Sequence, residues 1–408
     1  MYSLRMLDTQ YELPFLAVFL YAIGNMLSWG TGLEAFGFLC YVGPLLVVCC
    51  FFKYRCLDNI RYRVIPWYYW VLICQLIFMW IRFDVNGANG GTFRDMNGCG
   101  STFLFLILMF PPEVFKLRYL QKWMLITSAV GVLYAIPNWN NLVLASIYID
   151  NDGFYGDNSG IYINMAMAVG YAIMSCGLLL CIQHALSSKV KNTALIVTLL
   201  GVVILMVAGR RGFSALFLVF ILVFFYSKIR YAPRGRKIVN MLYLFVFVMS
   251  FAYYVLSNAD TQFSVLFNRL DTDSRSDVFY WWNQEMGADL FKWIFGKGVS
   301  GGYYDGDFGF IRPGIENGLR NMILKGGLLY LVPYILLGVR AFRLGFFCSN
   351  SRFMKMLSIY VCICISFLYV WGTPSFSFLH LNMWIAYTWI FSSKLRKMND
   401  AELYRTIY

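Results

Sequence analysis

Two adjacent arginines, Arg210 and Arg211, stand between two apolar runs, with Gly209 before them and Gly212 after. A guanidinium is always charged and presents a fixed fork of donors, a geometry that suits phosphate and diphosphate better than any other side chain. Ionisable groups at a membrane edge are costly and usually functional. The bland alternative is two arginines snorkelling to water, which would be harmless. A second set, Arg269, Arg275 and Arg312, is interleaved with Asp271, Asp273, Asp277 and Glu316 in one long polar stretch. Mixed signs usually mean a solvated surface. The same residue types could also perform group transfer, with arginines offsetting charge that grows on a leaving phosphate and a carboxylate accepting the proton of the attacking hydroxyl.

The elements that must position these groups follow from composition. Of 408 residues 60% are hydrophobic and 13% charged, and apolar runs of membrane-spanning length recur throughout, so the bilayer is the solvent. The expected fold is an all-α polytopic membrane protein of about twelve transmembrane helices: 13–30, 35–52, 65–82, 101–112, 123–137, 161–184, 193–208, 212–227, 238–258, 319–340, 354–371 and 376–392. The first should persist as a helix, because a short polar head with Arg5, Asp8 and Glu12 precedes it and no small-residue cleavage site follows. The fourth is short and ends at Pro111-Pro112, which suggests a tilted or partly interfacial segment.

With both termini on the cytoplasmic side, that face holds 23 of the 34 basic residues and 6 of the 21 acids, leaving +17 there and −4 on the other face. This obeys the positive-inside rule. The formal charge of +13 therefore reflects topology and not nucleic-acid binding. Arg210 and Arg211 lie in a tight turn on the net-negative face, where basic residues oppose insertion.

The outward loops are unequal. Residues 84–100 are rich in Gly and Asn, 138–160 carry Asp150, Asp152 and Asp157, and 259–318 are too long for a connector. The chain thus reads as helices and short loops over 1–258, a large loop over 259–318, and three helices with a tail over 319–408. Within the large loop, Val278, Trp281, Trp282, Met286 and Leu290 recur at helical spacing and predict a surface helix over 274–290, followed by a glycine-rich turn. Its tryptophans suit headgroup depth or packing on the bundle equally well. The letters of Gly296-Lys297-Gly298-Val299-Ser300-Gly301 satisfy a dinucleotide fingerprint, but no strand precedes them and no βαβ unit is present. Those glycines are expected to let the backbone approach a partner closely. His184 and His380 lie far from any acid and the eleven cysteines contain no CxxC pair, so neither a metal site nor a cofactor is expected.

Four stretches taken in order resemble the O-antigen polymerase and ligase family: Val207 to Gly212, Arg269 to Tyr280, Ile294 to Gly298, and Glu316-Asn317-Gly318 with Gly326-Gly327-Leu328. The resemblance covers roughly residues 195–345 and rests on order and spacing. It implies a bacterial inner-membrane glycosyltransferase with a GT-C-like arrangement, one large periplasmic loop and an undecaprenyl-diphosphate-linked oligosaccharide as donor and acceptor. It leaves room for a chain-length regulator as partner, alongside the membrane lipids themselves. Position by position, Arg211 matches the family arginine after a hydrophobic span, and Arg210 replaces a small hydroxyl residue. Arg275 matches the loop arginine that precedes the aromatic helix. Where ligases of this family carry His-Asn at the return to the membrane, this chain has Glu316-Asn317.

The implied chemistry is attack of a sugar hydroxyl on an anomeric carbon with loss of a lipid diphosphate, an inverting displacement. Arg211 and Arg275, with Arg210, Arg269 and Arg312, would stabilise the leaving group in the place of a divalent cation. Glu316 is the candidate base, with Asp273 and Asp277 as substitutes and Asn317 beside it. The related ligase, acting on another lipid acceptor, is the first alternative. A flippase or transporter is the second, and would be expected to show internal repeats, broken helices in matched halves and mid-membrane charges; the sequence displays no such pattern.

Overall fold

The structure is a computed structural model that describes residues 9–54, 56, 65–82, 99–150, 159–257, 276–307, 309–315, 317–370 and 374–408. Its α-helices are α1 (Thr9–Thr31), α2 (Phe38–Lys53), α3 (Trp67–Ile81), α4 (Leu117–Ala135), α5 (Trp139–Asp150), α6 (Ser159–Ile173), α7 (Gly177–Cys181), α8 (Ser188–Val207), α9 (Arg211–Tyr231) and α10 (Arg234–Ser257). The large loop supplies α11 (Ser276–Met286), α12 (Leu290–Phe295) and a small hairpin of β1 (Tyr303–Asp305) and β2 (Phe310–Arg312). The chain continues with α13 (Gly318–Phe346), α14 (Arg352–Ser366), α15 (Phe378–Phe391), α16 (Ser393–Lys397) and α17 (Asp400–Ile407).

Among the described residues, eight helices are long and apolar enough to cross a membrane: 11–31, 35–53, 160–181, 188–207, 211–231, 234–257, 318–346 and 352–369. This is an all-α multi-pass membrane architecture. The other expected spans correspond to shorter or more polar elements. At 15 residues, α3 is apolar but short. Arg118, Gln121 and Lys122 make α4 polar at its start, and α15 has 14 residues.

The fourth expected span is not an α-helix. Cys99–Met109 forms a 3-10 helix, an unusual length for that conformation. Its environment explains how it is tolerated. Backbone carbonyls within hydrocarbon need internal donors, and here Tyr69 Oη donates to Phe105 O at 2.8 Å, Thr388 Oγ1 to Ile107 O at 3.1 Å and Trp389 Nε1 to Pro112 O at 3.2 Å. The Phe105 ring packs edge-on against Tyr330, Tyr334 and Trp384.

The described chain divides into two compact units. One comprises residues 1–25, 36–120 and 274–408, the other 26–35 and 121–273. In the second, small residues let helices approach closely, as expected where lipid removes the hydrophobic drive between helices. Ser128 Oγ donates to Ile173 O at 3.0 Å where the span 160–181 passes through a 3-10 turn at Met174–Cys176. In the same unit α10 buries none of its residues.

In the first unit α13 is not continuous. Gly327 has φ 65° and ψ −166°, so the element is two helices, 318–326 and 328–346, joined at a break. The sequence gives no pattern of broken helices; the structure contains this one, at the Gly326-Gly327 pair. Its cause is steric: a Cβ on Gly327 would collide with the carbonyl of Ile294, so only glycine allows α12 to come this close.

Candidate functional site

The turn that carries the arginine pair is three residues long. Ala208 closes α8, and Gly209 takes the left-handed conformation at φ 68°. The Gly209 and Arg210 amides then donate to Met206 O at 3.0 Å and Leu205 O at 2.8 Å, which satisfies the last carbonyls of α8. Arg210 is the residue before α9, and its carbonyl accepts from Ser214 N and Oγ, both at 3.1 Å. Its guanidinium Nη2 donates to Ile163 O in α6 at 2.9 Å. Arg211 is the first residue of α9. Both cations thus sit at a helix N-terminus, where the macrodipole is already positive. The turn places two guanidinium-bearing residues at the positive end of α9 in the second unit.

In the first unit the loop elements fold onto the start of α13. One face of α11 enters a core of Trp282, Met286, Tyr303, Ile315 and Leu324, flanked by Val278, Phe279, Trp281 and Trp293. Of the two placements open to the tryptophans, packing is the one adopted by Trp282, which is buried, while Trp281 Nε1 donates to Asp307 Oδ2 at 2.8 Å. The expected single helix over 274–290 is divided, because Gly287 at φ 48° ends α11 and Asp289 caps α12 through Phe291 N at 2.9 Å. Tyr303 is fully buried in this core, whereas Tyr304 is half exposed.

The glycines of 296–301 make the close approach that their spacing suggests, and the partner is the break in α13. Lys297 N donates to Leu324 O at 2.8 Å and Gly298 N to Lys325 O at 2.9 Å, while Gln75 Nε2 reaches both Gly326 O at 2.8 Å and Phe295 O at 3.0 Å. A Cβ on Gly296 would stand 2.5 Å from the Gly326 amide. Lys325 Nζ returns the contact by donating to Val299 O and Gly301 O at 2.8 and 2.7 Å. All three carbonyls freed by the break, 324 to 326, are therefore occupied by protein donors.

Glu285 ties this knot to α11, accepting from Lys297 Nζ at 2.7 Å and Lys292 Nζ at 3.2 Å. Burial pushes its carboxyl up, but the hydrogen bond and charge of Lys297, aided by Lys292, outweigh burial and hold it below the ordinary glutamate range. A depressed carboxylate stabilises the fold fully above the unfolded value of about 4.3 and loses that contribution as pH falls through the folded value. Glu285→Gln is accordingly expected to lower stability on the order of 0.5–1 kcal/mol at neutral pH, as for partly exposed pairs, and to flatten the acid limb. Thermal unfolding of both proteins from pH 7 to 3 checks this; parallel curves would count against it.

Of the residues singled out from the sequence, Arg210 and Arg211 fall in the second unit and Arg312 and Asn317 in the first. Arg312 is engaged by its own hairpin, with Nε 2.6 Å from Oδ2 of the buried Asp305. Asn317 caps α13: Oδ1 accepts from Arg320 N at 3.1 Å, and Nδ2 donates to Tyr369 O at 3.0 Å. Both ends of its amide are thus used structurally. Arg269, Asp273, Arg275 and Glu316 lie outside the described residues, and Asp277 is placed by its backbone alone, in the first turn of α11.

Sequence reasoning missed Arg320, one turn into α13. Its guanidinium lies 3.6 Å from the Phe279 ring centroid and 5.1 Å from that of Trp282, and its buried Nη1 has no hydrogen-bond partner among the described residues. Aromatic faces fix such a cation without using its donors. The available signal was an arginine three residues after Asn317, within reach of an aromatic helix. Comparison with protein families, with curated proteins and with solved structures yields no match.

Proposed function

We propose that the chain is a bacterial surface-polysaccharide polymerase of the inner membrane, with twelve spans and a periplasmic loop over 259–318. It transfers a glycan from its undecaprenyl-diphosphate carrier onto the next lipid-linked repeat unit. The observation that carries this reading is the turn at Gly209-Arg210-Arg211, where two guanidinium groups are added to the positive end of α9 between two long apolar helices. A phosphate-bearing lipid is the ligand whose charge suits that point and whose solubility suits that depth.

In this reaction an acceptor hydroxyl oxygen bonds to the anomeric carbon as the bond from that carbon to the diphosphate oxygen breaks. The proton passes to a carboxylate, for which Glu316 is the candidate, and the anomeric configuration inverts. Arg211 takes the charge developing on the diphosphate, with Arg275 as its counterpart from the loop. Arg210, bonded to Ile163 O, positions the turn. The ligase shares this chemistry and differs in acceptor.

A transporter is the second reading, and the break in α13 is what favours it, since transporters coordinate ions and substrates at such breaks. The three carbonyls freed here are already taken by Lys297 N, Gly298 N and Gln75 Nε2, which weighs for a structural break. A gel of surface polysaccharide from cells lacking the protein separates the readings. Loss of the ladder with single-unit material retained is expected; full-length chains stranded on the carrier would indicate a ligase, and precursor trapped on the inner leaflet a flippase.

A further inference from the structure

Between α3 and the second half of α13 runs a groove of about 300 Å³, lined by Trp67, Val71, Ile294, Leu328, Val332 and Leu336 among others, with no polar surface. Val332 and Trp67 remain 47% and 72% exposed, so the groove opens sideways, into hydrocarbon for a helix pair within the bilayer. At its loop end a cation waits. Ile294 is followed by Phe295 and Gly296, and Gly296 O accepts from Arg82 Nη1 at 2.7 Å. The Arg82 guanidinium lies over the rings of Phe291 and Phe78, 5.2 and 5.5 Å from their centroids. No carboxylate pairs with it among the described residues, and its remaining nitrogens carry no hydrogen bond there. Val71, Phe78 and Arg82 follow one another along a single face of α3 at helical spacing. At 1.5 Å per residue, the rise from Val71 to Arg82 is about 16 Å, a length that an extended lipid chain spans from its phosphate.

We propose that this groove seats the polyprenyl chain of the acceptor, the next lipid-linked repeat unit, with its phosphate end directed to Arg82; the diphosphate assigned to Arg211 is the donor's. The assignment rests on the carrier chemistry proposed above. Two features select this occupant. The groove is continuous with the loop knot, because Ile294 lines it while the adjoining Phe295 and Gly296 are bonded by Gln75 and Arg82. Arg82, which has no carboxylate partner among the described residues, stands at the end where an amphiphile's charge must emerge, while the apolar lining accepts only hydrocarbon. A substrate that is half hydrocarbon and half sugar diphosphate needs such a path, since its chain cannot leave the bilayer while its sugar reacts outside it.

The test uses the full-length protein in nanodiscs of phosphatidylcholine, titrated with undecaprenyl phosphate, with phosphatidylglycerol as competitor. Arg82→Gln keeps a donor for Gly296 O but loses the charge, and Val332→Trp fills the groove from its half-exposed rim without entering the core. Each is expected to weaken binding about tenfold or more, as for loss of a charged hydrogen bond or of a bound chain segment, with thermal unfolding unchanged. Phosphatidylglycerol at equal concentration should displace little. Wild-type affinity in both variants would overturn the groove while leaving the carrier reading intact. Ready displacement by phosphatidylglycerol would also overturn it, making this a seat for any anionic bilayer lipid. No binding of undecaprenyl phosphate by the wild type would remove the carrier reading, and the groove assignment with it.

Discussion

Arg211→Lys is expected to abolish polymer, with turnover falling by about 10²–10³, the loss seen when one preorganised donor to a developing anion is removed. Lysine keeps the charge at the first position of α9, so topology and insertion should survive. What it loses is the planar fork that meets two phosphate oxygens at once. The measurement is the ladder of chain lengths made in cells, together with turnover of lipid-linked repeat units by the purified protein, and it tests the polymerase proposal. Arg210→Lys is the internal comparison. That side chain spends Nη2 on Ile163 O, so its replacement should loosen the turn and reduce activity less. A wild-type ladder from Arg211→Lys would remove Arg211 from the site.

Gly327→Ala is expected to be the most damaging single methyl group in the first unit, at a cost on the order of 3 kcal/mol or more. Two effects add. At φ 65° and ψ −166° the backbone lies in a region that essentially only glycine populates. The new Cβ would also strike the Ile294 carbonyl, which cannot retreat without disturbing the bonds that Lys297 and Gly298 make to Leu324 and Lys325. Gly32 separates the two effects, having φ 68° with nothing within 4 Å of a Cβ. Gly32→Ala should cost only the left-handed strain, roughly 1–2 kcal/mol. Thermal unfolding in detergent measures both, and equal shifts for the two variants would defeat the steric part of the account.

The membrane character was legible because hydropathy acts residue by residue: each long apolar run must bury its backbone polar groups in a helix whatever its neighbours do. The arginine turn was legible for a similar reason, since Gly209 and the two charges interrupt one apolar run and start the next. Cys99–Met109 was not legible as a 3-10 helix. Its sequence is as apolar as a helix, and what permits the tighter winding is a pair of donors, Tyr69 and Thr388, up to 281 residues away. The division of the loop helix at Gly287 was signalled by the glycine itself, but the aromatic spacing of Val278 to Leu290 runs through it and concealed the stop.

The sequence by itself determined that the chain carries many apolar helices long enough to cross a membrane, where the arginine turn falls between two of them, and that the glycines of 296–301 would let backbone meet backbone. Those are local properties of hydrophobicity, charge and φ freedom. Only the tertiary structure decided which backbone they meet and what that contact builds. It showed that α13 breaks at Gly327 against α12, that Arg312 is spent on Asp305 and Asn317 on a helix cap, and that Arg320 and Arg82 are held by aromatic rings. Whether a charge is engaged depends on partners distant in the chain. Electrostatic and hydrogen-bond energies act through space, and the fold sets those distances.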